Sequence, residues 1–171
     1  MKDFRPISLV GSFYKLLAKV LANRLKQAVG EVLSEHQHAF IQNRQILDAT
    51  FIANEGVNFK LKVNIPGLLQ KLDIEKAFDH VNWDCLILVM SKIGFGQKWI
   101  NWISWCISTA NFSILINGTP SNFFRSTRGL RQGDPLSPYL FLLVMEVLSQ
   151  LLFRARSGAT LRGLRWETVM E

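Results

Sequence analysis

The stretch Lys71-Leu72-Asp73-Ile74-Glu75-Lys76-Ala77-Phe78-Asp79 constrains this 171-residue chain more than any other. Residues 68–74 are mostly apolar and follow a Pro66-Gly67 break, so they predict a short strand with Asp73 near its end. A helix-like pattern follows. Burying an unpaired carboxylate is costly, so an acid on such a strand needs a partner or a metal. The residues leave two readings of Asp73 open. It is a metal ligand presented at a strand end, or it is a helix N-cap or the ion-pair partner of Lys71 or Lys76.

The flanking pattern is mostly helical. Residues 12–33 predict an amphipathic helix with Ser12 as cap and Phe13, Leu16, Leu17, Val20, Leu21 and Leu25 along one stripe. Gly30 is its weak point. Residues 36–44 form a polar, irregular stretch, and residues 46–60 predict a second helix. Asn82 is placed to cap a helix that runs through Ile93, with Gly94 just past its end. Residues 97–110 form another helix, in which Trp99, Trp102 and Trp105 recur every three positions and are assigned to helix packing rather than base stacking. Residues 112–116 and 122–126 flank Asn117-Gly118, a strong hairpin signal because both residues tolerate positive φ. A loop over residues 129–138 then enters an apolar helix over residues 139–154. One strand and one hairpin among helices predict an α+β fold, a small antiparallel sheet backed by helices.

Composition excludes some classes of function. A hydrophobic share of 49% with 19% charged residues is not that of a disordered chain. The net charge of +7 favours a polyanionic partner. Cys85 and Cys106 form no Cys-x-x-Cys pair and are expected as buried thiols in a reducing compartment. The first residues lack an apolar leader core, and the longest unbroken apolar run, residues 140–145, is too short to cross a bilayer. An intracellular protein of the nucleus or cytoplasm, without a membrane partner, is expected. His36 and His38 have no further ligand beside them and are read as a surface loop.

A second block, Arg128-Gly129-Leu130-Arg131-Gln132-Gly133-Asp134-Pro135-Leu136-Ser137-Pro138, carries chemistry of its own. Gly129 and Gly133 permit close backbone approach to a nucleotide. Gln132 can offer two amide hydrogens, and Arg128 and Arg131 are charge-assisted donors. This block resembles a core motif of reverse transcriptases of LINE-type (non-LTR) retrotransposons. So does Lys71 to Asp79 followed by Val81-Asn82-Trp83. Upstream, Arg5-Pro6-Ile7-Ser8-Leu9 with Tyr14-Lys15 resembles the family's fingers. So does His38-Ala39-Phe40-Ile41-Gln42-Asn43-Arg44 with Asp48-Ala49, although the family often has Gly at the positions of His38 or Ala39 and of Asn43.

The resemblance spans Arg5 to about Arg154. It implies a fingers-like segment over residues 1–64 and a partial palm over residues 65–171. It implies that Asp73 and the Ile74 carbonyl face Mg2+ (or Mn2+), and that Phe78 stacks beneath the sugar of a deoxynucleotide. Gln132, Lys15 and Arg44 would contact the nucleotide, and Arg5, Arg128 and Arg131 the nucleic acid. RNA template, DNA primer and deoxynucleoside triphosphates are the implied partners. The family also carries an aromatic-any-Asp-Asp hairpin, and no Asp-Asp pair occurs in these 171 residues. The expectation is a reverse transcriptase fragment that is inactive alone. Two alternatives are a non-catalytic, basic nucleic-acid-binding remnant and a relative of group II intron maturases. Oligomeric state is left open.

Overall fold

The computed structural model describes residues 8–67, 69 and 71–157. Helix α1 (Ser12–Val32) is followed by α2 (Ile46–Lys62), α3 (Trp83–Ile93) and α4 (Gln97–Ser108). Four two-residue strands come next: β1 (Asn111–Phe112), β2 (Leu115–Ile116), β3 (Thr119–Pro120) and β4 (Phe124–Arg125). Helix α5 (Ser137–Ser157) closes the order. The α+β expectation therefore holds, with antiparallel pairing confined to one nested hairpin. Phe112 pairs with Phe124 on the outer rung, and Ile116 with Thr119 beside the turn. Asn117 and Gly118 take φ of 48° and 81°, as the Asn-Gly signal requires.

The core lies where α5 meets α1 and α3, with α4 against α3. Leu21, Leu25, Leu86, Met90, Ile103, Leu136, Leu140 and Leu143 are fully buried there. Helix α3 has the ends its sequence asks for. The Asn82 side chain accepts the Cys85 N–H, and Gly94 closes the helix in the left-handed conformation. In α4 the buried face is Ile100, Ile103, Cys106 and Ile107. Trp99 is half-buried and tilted against Trp102, whereas Trp105 points to solvent, so only part of the aromatic row packs.

Several expectations are corrected. The buried face of α1 is Ala18, Leu21, Ala22, Leu25 and Val29, while Phe13 is 93% exposed and Leu16, Leu17 and Val20 also face outward. Small alanines allow α5 to approach α1 closely, which a count of large apolar residues overlooks. The cap is Gly11 rather than Ser12, and the helix runs through Gly30 without a break. Helix α2 starts from a Gln45–Asp48 capping box, the Gln45 N–H donating to Asp48 Oδ2 at 3.2 Å. Cys85 is exposed; only Cys106 is buried.

The strand expected to carry Asp73 does not form among the described residues. Residues 71–74 carry no regular secondary structure, residues 68 and 70 lie outside the described residues, and a turn follows over residues 75–80. A strand exists only through a partner's hydrogen bonds, and the described pairings all lie within residues 111–125.

Residues Ser137–Ala155 of α5 reach a mean hydropathy of 1.4, long and apolar enough by composition to cross a bilayer. That corrects the estimate from the longest unbroken run. In this fold the first half of the segment packs in the core: Leu140 and Leu143 are fully buried, and Glu146 accepts the Ser34 N–H at 3.1 Å and Gln150 Nε2 at 2.7 Å, whereas Leu151, Leu152 and Phe153 are exposed.

Candidate functional site

The two motif blocks meet through backbone hydrogen bonds. Gly129 N–H donates to the Val81 carbonyl and Leu130 N–H to the Phe78 carbonyl, each at 2.8 Å. Trp83 Nε1 donates to the Gly129 carbonyl, also at 2.8 Å. Gly129 has φ of 89°, and a Cβ there would lie 2.9 Å from the Asp79 carbonyl oxygen. Gly129 thus permits close approach to the first block's own backbone, and it also lines the cleft described below.

Downstream, the loop is held by side chains. Tyr14 Oη donates to Asp134 Oδ2 at 2.9 Å, and the Leu136 N–H donates to Asp134 Oδ1 at 3.1 Å. Arg131 lies across the Tyr14 ring, 4.1 Å from its centroid, and donates to Tyr14 Oη and to the Cys106 carbonyl. Its Nε is 3.6 Å from Asp134 Oδ2. Burial raises the Tyr14 phenol far above its ordinary value, Asp134's charge adds to this, and Arg131 opposes it. Burial and the same carboxylate push the Cys106 thiol up to about 11.

Beside this loop is an open cleft of about 570 Å³. Asp79, Trp83, Arg125, Arg128 and Gln132 are among the residues that line it, with Phe112 and Phe124 stacked at 5.9 Å along one side. Arg128 is exposed. Gln132 is half-buried, and its carbonyl accepts the Ser8 N–H at 3.1 Å.

The expected residues fall into different places. Gln132 and Arg128 share the cleft, together with Arg125, Trp83 and Asp79, which were not singled out as ligands from sequence. The available signal was the charge and aromatic content of the hairpin for Arg125, and membership of the first motif block for Asp79 and Trp83. Arg131 also lines the cleft, and its Nη2 donates to Tyr14 Oη and the Cys106 carbonyl. Arg44 donates to the Ser34 and Gln37 carbonyls at 2.6 and 2.7 Å and so braces its own loop. In that loop Phe40 and Asn43 take φ of 62° and 65°, and at Asn43 this is the geometry that glycine normally serves. Lys15 is exposed on α1. Phe78 is half-buried, its ring stacked on Phe141 at 4.8 Å. Asp73 and Ile74 are exposed and are not among the cleft's lining residues. Arg5 lies outside the described residues. His38 is half-buried, contrary to the surface reading, and its ring nitrogens have no partner among the described residues.

No group of three His, Cys, Asp or Glu side chains that could hold a metal occurs among the described residues. Asp73 offers one carboxylate, and these residues alone do not fit a two-metal centre.

Comparison with known proteins places this arrangement. Residues 1–160 match the family described as reverse transcriptase (RNA-dependent DNA polymerase). The chain is 31% identical over 162 residues, 95% of its length, to the transposon TX1 uncharacterized 149 kDa protein of Xenopus laevis. It is 30% identical over 148 residues, 85% of its length, to the Pol polyprotein of the type-1 retrotransposable element R2 of Nasonia vitripennis. A shorter match, 57% over 51 residues, covers 30% of the chain and 42% of an uncharacterized mitochondrial protein of Arabidopsis thaliana. The chain spans only 12% and 14% of the length of the first two relatives. The chain belongs to the reverse transcriptase family, as a domain of the kind carried by non-LTR retrotransposons.

Proposed function

We infer that this chain is the nucleotide- and template-facing portion of an RNA-directed DNA polymerase, and that these 171 residues do not extend a primer alone. In this reading residues 1–64 are fingers and residues 65–171 a partial palm. The observation that carries it is the hydrogen-bonded junction of the two motif blocks, Gly129 to Val81 and Leu130 to Phe78. It sets Gln132 and Arg128 along an open cleft wide enough for a nucleotide.

The cleft supplies recognition. Gln132 can donate to sugar or phosphate oxygens. Arg125 and Arg128 can neutralise a phosphate backbone, and Phe112 with Phe124 offers an aromatic wall. Asp73 would contribute one carboxylate, with the Ile74 carbonyl beside it, toward the divalent ions that the family uses. Lys15, and Arg5 near the amino terminus, add cationic groups toward template or triphosphate. RNA template, DNA primer and deoxynucleoside triphosphates are the substrates, inside the nucleus or cytoplasm.

Purified protein, given an RNA template, a DNA primer, deoxynucleotides and Mg2+ or Mn2+, is expected to yield no extension product. Product formation that disappears in Asp73→Ala would overturn the inactive-alone reading. Non-catalytic nucleic-acid binding is what the +7 charge favours for the isolated chain. Affinity for single strands should then fall with salt by a log–log slope of about −0.7 per phosphate contact.

A further inference from the structure

The Gly129–Asp134 loop is tied to partners far away in the chain, one of them more than 110 residues upstream on α1. Among the described residues Tyr14 is the α1 side chain hydrogen-bonded to the loop, and it bonds twice: it donates to Asp134 and accepts from Arg131. Arg131 in turn reaches the Cys106 carbonyl at the end of α4. The hydroxyl therefore closes a relay across three elements. Gln132 lies between the two residues it holds. Its carbonyl accepts the Ser8 N–H, and the residue lines the cleft.

We propose that Tyr14 is a positioning residue that fixes the Gly129–Asp134 loop to α1 and thereby sets where Gln132 meets a ligand. The geometry stands without any ligand; only its consequence for binding rests on the nucleotide reading above. Removing the hydroxyl frees one lone pair of Asp134 and one donor of Arg131, both inside a half-buried cluster. The stack of Arg131 on the ring survives in phenylalanine. The loop then keeps its Gly129 and Leu130 ties and loses its anchor to α1, so the change is a local shift rather than unfolding.

Trp83 reports on the loop directly, because its indole N–H binds the Gly129 carbonyl. The test is fluorine NMR of the whole chain labelled with fluorotryptophan, the Trp83 signal being assigned by its loss in Trp83→Phe. Tyr14→Phe should move the Trp83 resonance and leave those of Trp99 and Trp102 in place. Arg131→Lys, which keeps the charge and loses the fork, should move it as well, and it carries the test should Tyr14→Phe fail to fold. Val29→Ala, which opens a cavity in α1 away from the loop, should leave it still. A Trp83 resonance unmoved in both cluster variants, or moved equally by Val29→Ala, overturns the proposal. With dTTP and Mg2+ as probe, Tyr14→Phe should bind about tenfold more weakly, equivalent to about 1.4 kcal/mol. A selective Trp83 shift together with no dTTP binding by the unaltered chain would uphold the positioning role and sink the nucleotide reading instead.

Discussion

Helix α2 and helix α5 are both rich in large apolar residues, yet they live in different surroundings. Leu136, Leu140 and Leu143, at and just before the start of α5, are fully buried, and Glu146 is buried and doubly hydrogen-bonded. Helix α2 buries none of its residues; Phe51 is 65% and Leu61 72% exposed. The segment at residues 71–74 shares that exposure. Apolar content alone does not make a core. What separates the two regions is long-range fixing: α5 is reached from α1 and α3 and by the loop at Ser34, whereas α2 is held by its own capping box. Asp73 and Ile74 of the first motif block fall in the loosely held region, and Gln132 of the second falls in the fixed one.

The sharpest way to break this contrast is a pair of truncations. Leu143→Ala should destabilise the fold by about 3 kcal/mol, the usual loss for a cavity in a packed core. Phe51→Ala on α2 should change stability by no more than about 0.5 kcal/mol. Urea midpoints measure both, and comparable losses would erase the distinction. Next in size, Gly129→Ala should cost about 2 to 3 kcal/mol, through left-handed strain and the clash with the Asp79 carbonyl. Gly67→Ala, whose added carbon meets nothing nearer than Lys60 at 3.8 Å, should stay within about 1 kcal/mol. A harmless Gly129→Ala would mean that the junction of the two blocks is looser than drawn.

A further expected effect is a pH dependence that belongs to the fixed region. Burial raises the Cys106 thiol from its ordinary 9.0 to about 11, and the Tyr14 phenol rises above its ordinary 10.0. The folded chain therefore holds protons that the unfolded chain has released. Stability from these groups is complete below about pH 9. It declines as pH climbs toward about 11, with Tyr14 extending the loss beyond pH 10. Asp134 and Arg131 face both groups. Denaturation across this range should be less steep in Tyr14→Phe than in the unaltered chain.

Much of the fixed region was legible in the sequence. Asn82 and Gly94 bound α3 as capping chemistry predicts, and Asn117-Gly118 turns the hairpin. These signals are local, so the sequence states them completely. The buried face of α1 was misread because it is built on Ala18 and Ala22, whose value lies in how closely α5 approaches. The strand at Asp73 was misread because alternation and apolarity say nothing about whether a pairing edge is present. Arg131 and Arg44 looked like free cations, since no sequence pattern tells that Tyr14, Cys106, Ser34 and Gln37 will take their donors. That Gln132 lies in a loop beside the cleft follows from Gly129 and Gly133, which mark a sharply bent segment and take positive φ.

The junction of Phe78 and Val81 with Leu130 and Gly129 also has a history in time. It joins positions nearly fifty residues apart, and closing a flexible loop of that size costs roughly 3 kcal/mol of chain entropy before any contact forms. The intervening stretch is not flexible once α3, α4 and the nested hairpin exist, and each of these forms from near neighbours in microseconds. They shorten the gap that must be crossed by chance. During synthesis the Asp73 block therefore emerges first and waits, unpartnered, until the hairpin has been made and the glycine loop can fold back onto it. Tyr14 emerges earlier still, so its tie cannot close before Arg131 and Asp134 have been made.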